Sequence, residues 1–135
     1  MTSSNEKARG SAGIPKKPEI RGDESTAIIQ IRVQRYFNAL RACWQCHGID
    51  VNTTDTSAQI SRLAAILRVQ GSYGLGSVEG RTAGGMLQLP ARIFDLRARG
   101  WEILAVREST WGADGLRHPR TVRYFVISEP SAEHA

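Results

Sequence analysis

A chain of 135 residues, 41% of them hydrophobic and 23% charged, is sized for one domain with an apolar core, or for one domain and a tail. Its 18 lysines and arginines against 13 acids leave a net charge of +5, which favours polyanions such as nucleic acid or an anionic membrane surface. No apolar run is long enough to span a membrane, and no hydrophobic stretch follows the basic N-terminus as in a secretory signal, so the expected location is cytoplasmic and the two cysteines are expected to be reduced.

Residues 1–24 are rich in Ser, Gly, Pro and Lys and lack periodicity, which reads as a flexible tail. Lys7, Arg9, Lys16, Lys17 and Arg21 make it a basic arm able to touch phosphates, or a plain solvated tail. Residues 25–47 come next. Ile29, Val33, Phe37, Leu40 and Trp44 recur at helical spacing, although the opening IIQIRVQ also alternates as a strand would. Length decides for a helix, capped by Ser25 or Thr26 and stopped by Gly48. With the loop to residue 56 it forms a segment that either mediates homodimer formation or packs on the remainder.

Residues 57–70, SAQISRLAAILRVQ, form a second helix with Ser57 as N-cap and Ile60, Leu63, Ala64 and Leu67 on one stripe. Gly71 ends it. GSYGLGS is a connection. Ser77 caps a short helix, SVEGRTA, which Gly84 and Gly85 terminate. A glycine inside such a helix weakens it by roughly 1 kcal/mol, which bears on Gly80. A further helix starts at Leu89 or Pro90, proline suiting the first turn, and stops at Gly100. The period then changes. Trp101, Ile103 and Ala105 alternate with Glu102, Leu104 and Val106; Val122, Tyr124 and Val126 alternate with Arg123, Phe125 and Ile127. Two strands around the long polar stretch ESTWGADGLRHPR make a hairpin, and residues 129–135 are a short tail. Helix, short helix, helix, hairpin is the order of a winged helix-turn-helix. The expected class is therefore α+β and mainly helical: three helices and a C-terminal hairpin over 57–128, preceded by an extra helix.

The run LPARIFDLRARGWEI, Leu89 to Ile103, resembles the phage- and prophage-associated winged helix-turn-helix domains, which show a similar Ala-Arg-Ile-x-Asp-Leu-Arg-x-x-Gly-Trp-x-Ile string. Those domains also tend to open with a Leu-rich helix like QISRLAAILRVQGS and to close with an Arg-containing strand like TVRYFV. The resemblance covers residues 59–127. It implies double-stranded DNA binding, with the 90–99 helix in the major groove and the hairpin as a wing; the expected role is transcriptional regulation on a phage or mobile element, with replication initiation, excision and an architectural role as alternatives.

Helical geometry puts Leu89, Ile93 and Leu96 on one face of that helix and Ala91, Asp95 and Ala98 opposite. Arg92 and Arg99 flank the outer face and Phe94 borders it. Arginine suits guanine or phosphate. Asp95 either accepts from cytosine or orients a neighbouring arginine, and Arg97 falls nearer the core. The hairpin adds Arg117, His118, Arg120 and Arg123. From Arg81 to Arg123 there are eight arginines and no lysine against four acids, the footprint of a phosphate-binding surface. The rival reading is a protein–protein module, such as a phage protein on a host factor, anchored by Phe94, Trp101 and Trp111.

Cys43-Trp44-Gln45-Cys46-His47 matches the covalent haem-attachment spacing. A haem site also needs an exported chain and a second axial ligand. Zinc would need two of His47, His118 and His134 to complete the site. Both are remote alternatives to cysteines at the end of an apolar helix stripe. No catalytic constellation is legible, so neither an enzyme nor a cofactor is expected.

Overall fold

The computed structural model describes residues 13–131. Ser25 opens the first helix, α1 (Thr26–Cys46), its hydroxyl accepting a hydrogen bond from Ile28 N at 3.3 Å. Of the two periods in IIQIRVQ the helical one prevails. Ile29, Val33, Phe37, Leu40 and Trp44 are buried along one stripe, whereas Ile31, which a strand would have set beside Ile29 and Val33, is 53% exposed. Trp44 Nε1 donates to Gln70 Oε1 at 3.0 Å, and Gln70 Nε2 donates to the Gly74 carbonyl at 2.9 Å. With both ends of its amide satisfied, Gln70 can be buried.

The second helix, α2 (Thr56–Gln70), begins earlier than a cap at Ser57 would allow. Asp55 is the N-cap and accepts from Ala58 N at 3.1 Å. Its carboxylate offers the same acceptor as a serine hydroxyl and adds a negative charge at the positive helix end. A 3-10 turn, Gly71–Tyr73, leads to a two-residue strand, β1 (Leu75–Gly76), too short to leave a periodic signal. The short helix α3 (Ser77–Thr82) is capped by Gly76 rather than Ser77, with Glu79 Oε1 accepting from Gly76 N at 2.9 Å. Pro90 lies in the first turn of α4 (Leu89–Ala98). Gly80 has a packing reason: a Cβ there would come within 2.7 Å of Leu89 Cδ2, so only glycine lets α3 and α4 close this far. Met86, between them, is fully buried.

Two long strands follow, β2 (Glu102–Trp111) and β3 (Arg117–Ser128), and the antiparallel sheet has the order β1-β3-β2. Leu104 faces Phe125, Ala105 faces Tyr124, and Leu75 of β1 meets Tyr124 from the other side. The molecule is thus α+β, with four α-helices and three strands among the described residues. The long polar turn expected at residues 108–120 shrinks to 112–116. ESTW and RHPR are strand, because a hairpin that runs past the core is held by its own backbone ladder and needs no apolar alternation there. The register shifts between Glu108 and Thr110 beside Pro119, where a residue without an N–H can sit outside the ladder.

The hairpin turn is seated on α1. Gln30 Nε2 donates to the Asp114 carbonyl at 3.1 Å. Gly115, at φ +80°, approaches so closely that a Cβ would lie 2.5 Å from Thr26 Cγ2. Residues 13–24 lack regular structure yet lie against the fold: Ile14 and Ile20 pack on the core and Lys17 Nζ sits 3.1 Å from Glu108 Oε1. Lys7 and Arg9 of the expected basic arm, and His134, lie outside the described residues.

Candidate nucleic-acid interface

Helix α4 buries Leu89, Ile93 and Leu96, the face that its spacing predicts. Pro90, Phe94, Arg97 and Ala98 are exposed, while Ala91, Arg92 and Asp95 are half-buried. Phe94 is 70% exposed and Leu87, just before the helix, 72%.

The structure divides the eight arginines into two groups. Three are engaged within the fold. Arg92 lies against Asp95, Nε to Oδ2 3.0 Å, close enough to attract as a charge though not aligned as a hydrogen bond, and only 15% of its side chain reaches solvent. Arg97 Nη2 donates to the Ile103 carbonyl at 2.7 Å, tying the end of α4 to β2. Arg123 is buried. Its Nη2 donates to Glu79 Oε2 at 2.7 Å, its Nε to Glu108 at 3.0 and 3.1 Å, and its Nη1 to the carbonyls of Tyr73 and Gly74. Expected as a phosphate ligand, Arg123 instead neutralises two carboxylates beneath the sheet. Burial works against its charge, but Glu79 and Glu108 outweigh it and hold the guanidinium above the ordinary arginine pKa.

Tyr36 completes this cluster, its hydroxyl donating to Glu79 Oε2 at 2.6 Å. Burial, then the Glu79 charge, pushes the phenol well above its usual pKa. One cluster thereby joins α1, α3 and both long strands.

The other five, Arg81, Arg99, Arg107, Arg117 and Arg120, are exposed, and none has a carboxylate partner among the described residues. Arg117 Nη2 donates only to Ser109 Oγ, at 2.9 Å. Arg81 and Arg120 line the same open groove between α3 and the hairpin turn, about 590 Å3 in volume, together with Ser77, Thr82, His118, Thr121 and one carboxylate, Asp114. Two guanidiniums and several hydroxyls make it a donor-rich trough suited to phosphate oxygens. His118 stands at its edge, Nε2 2.9 Å from Asp114 Oδ2. A hydrogen bond from Leu116 N, joined by His118, holds the Asp114 carboxyl below its ordinary pKa although burial opposes it.

Arg62 carries no distinguishing signal in the sequence, where it looks like a solvated helix arginine. It is buried in α2, donating to the carbonyls of Asp50, Gly84 and Thr53, and so staples the loop after α1 to the turn before α4. In the CWQCH stretch Cys43 is buried and Cys46 exposed, and burial, then the neighbouring Cys46, raises the Cys43 thiol pKa. No group of three or more His, Cys, Asp or Glu side chains among the described residues is placed to hold a metal ion. Trp111, expected in a loop, ends β2 and packs partly against the core. No helix among the described residues is long and apolar enough to cross a membrane.

A sequence model of the winged helix-turn-helix domain matches residues 58–129, more than half of the chain. The chain belongs to the winged helix-turn-helix domain family. The matched residues take in nearly all of α2, then α3, α4 and the β2-β3 hairpin. The match does not extend to α1, whose buried stripe nevertheless shares the core of the winged helix. No curated protein and no solved structure matches the chain.

Proposed function

We propose that this winged helix-turn-helix protein binds double-stranded DNA, with α4 in the major groove and the wing on the backbone. The observation that carries the reading is the segregation of the arginines. Five exposed guanidiniums, with no carboxylate partner among the described residues, lie on α3, the end of α4 and the wing, while the other three arginines of this segment are buried or tethered. Arg81 and Arg120 hold a phosphate in the groove between α3 and the wing. Arg99, Arg107 and Arg117 contact neighbouring phosphates or base edges. The protein acts by binding, as a transcriptional regulator of a phage or mobile element. The resemblance of Leu89–Ile103 to the phage-associated domains supports that finer role. A homodimer on paired half-sites would use the outer face of α1, where Ile28 and Ile31 stand exposed.

The test is a titration of the full chain against a labelled random-sequence duplex at low and near-physiological salt, with Arg81→Ala/Arg120→Ala alongside. Affinity should fall steeply with salt, and the double variant should bind more weakly at both concentrations. Absence of binding at low salt would transfer the function to a protein partner on the exposed apolar side chains of α4.

A further inference from the structure

Helix α4 is short of free polar side chains on the face it turns outward. Its polar residues are Arg92, Asp95 and Arg97; the first two are paired with one another and the third is tethered to the Ile103 carbonyl. What projects freely is apolar. Pro90, Phe94 and Ala98 recur four residues apart and therefore share one face, with Ala91 beside them. Leu87 adds a second exposed apolar side chain at the helix entrance. Phe94 on the helix at 70% exposure and Leu87 just before it at 72% are left largely uncovered by the described residues.

This apolar stripe is flanked by Arg99 at the helix end, which is exposed and free of a carboxylate among the described residues. A cation-flanked apolar stripe matches a polyanion with apolar groups set into its surface. The major groove of DNA is such a surface: thymine carries its C5-methyl group there, and phenylalanine and alanine are among the side chains that contact it. Ala91 and Ala98 are small enough to let the helix axis approach the base edges.

We infer that α4 reads DNA mainly through thymine methyl groups, with Phe94 as the principal contact and Leu87 as the second, so that the preferred sites are rich in correctly spaced thymines. Hydrogen-bonded base readout is left to the two ends of the helix, Gln88 and Arg99. This inference rests on the DNA-binding reading above and specifies how the same surface discriminates.

The experiment uses the full chain. Duplexes are first selected from a random pool, and the selected pool is then copied twice, once with thymine and once with deoxyuridine, which pairs identically but lacks the methyl. Affinity is measured for the wild type, Phe94→Ala and Arg99→Ala. The expected result is a thymine-enriched pool and a loss on the uridine copy of about fourfold for each methyl contacted. Phe94→Ala should shrink the thymine-to-uridine ratio toward one, while Arg99→Ala weakens both copies and keeps the ratio. Phe94 is exposed, so its variant should keep the wild-type circular dichroism and melting temperature. Equal binding of the two copies by the wild type would overturn the methyl readout and leave DNA binding standing. Failure to bind any duplex would overturn both.

Discussion

Arg123 Nη2 lies 2.7 Å from Glu79 Oε2, joining the wing strand to the short helix α3 across a buried contact. The same carboxylate oxygen accepts from Tyr36, and the same guanidinium reaches Glu108. Removing one partner of a buried pair leaves the other charge uncompensated, at a cost of about 3–5 kcal/mol. Arg123→Ala should therefore lower Tm by more than about 10 °C in a thermal melt. An unchanged Tm with weakened DNA binding would instead make Arg123 a surface contact.

Arg81→Ala and Arg120→Ala should behave in the opposite way. Both side chains are exposed and have no ion-pair partner among the described residues, so stability should change by less than about 0.5 kcal/mol. The slope of log affinity against log salt should flatten by about 0.9 for each phosphate that is no longer neutralised. An undiminished slope in both variants would remove the groove from the interface.

Gly115→Ala tests the seating of the hairpin turn on α1. The position has φ +80°, and an added Cβ would lie 2.5 Å from Thr26 Cγ2 and 2.9 Å from the Thr26 carbonyl oxygen. Both strain and collision oppose the substitution, so a loss exceeding about 1 kcal/mol is expected in denaturant unfolding. Faster amide exchange should appear in residues 112–116. Wild-type stability and exchange would show that the turn does not depend on this close approach.

Tyr36 sets a prediction for alkaline pH. Burial and Glu79 raise its pKa in the folded chain above the ordinary value of about 10, which the unfolded chain retains. The folded protein therefore keeps a proton that the unfolded chain releases. The stabilisation from this group is fully present below about pH 10 and declines as pH rises beyond it. Tyr36→Phe should cost about 1–3 kcal/mol at neutral pH by leaving a buried acceptor short of a donor. It should also show a shallower loss of stability above pH 10. An identical alkaline slope in the variant would refute the assignment.

What was legible in the sequence was whatever repeats along one element. The 3.6-residue period placed Leu89, Ile93 and Leu96 inward, while in IIQIRVQ it was segment length that chose the helix over the strand, and the exposure of Ile31 agrees. Alternation located both long strands but not their ends, because the polar residues of ESTW and RHPR are held by backbone pairing rather than by a core. The candidate site was less legible for one reason. Arg123 and Arg120 look alike in a sequence, and only the fold shows that one meets Glu79 while the other faces an open groove. The same blindness hid Arg62, whose acceptors are backbone carbonyls that no side-chain pattern announces.

The seat of the hairpin turn on Thr26 and Gln30 bears on how a duplex would be met. A free wing loses motional freedom when it touches DNA, and that ordering cost subtracts from affinity. Here the turn already rests on a helix outside the matched residues 58–129, so the span from α4 to the turn would work as a preset caliper. Any mismatch between that span and a straight duplex must be taken up by the nucleic acid, whose stiffness varies with base sequence. Base steps touched by no side chain would then still influence where this protein settles.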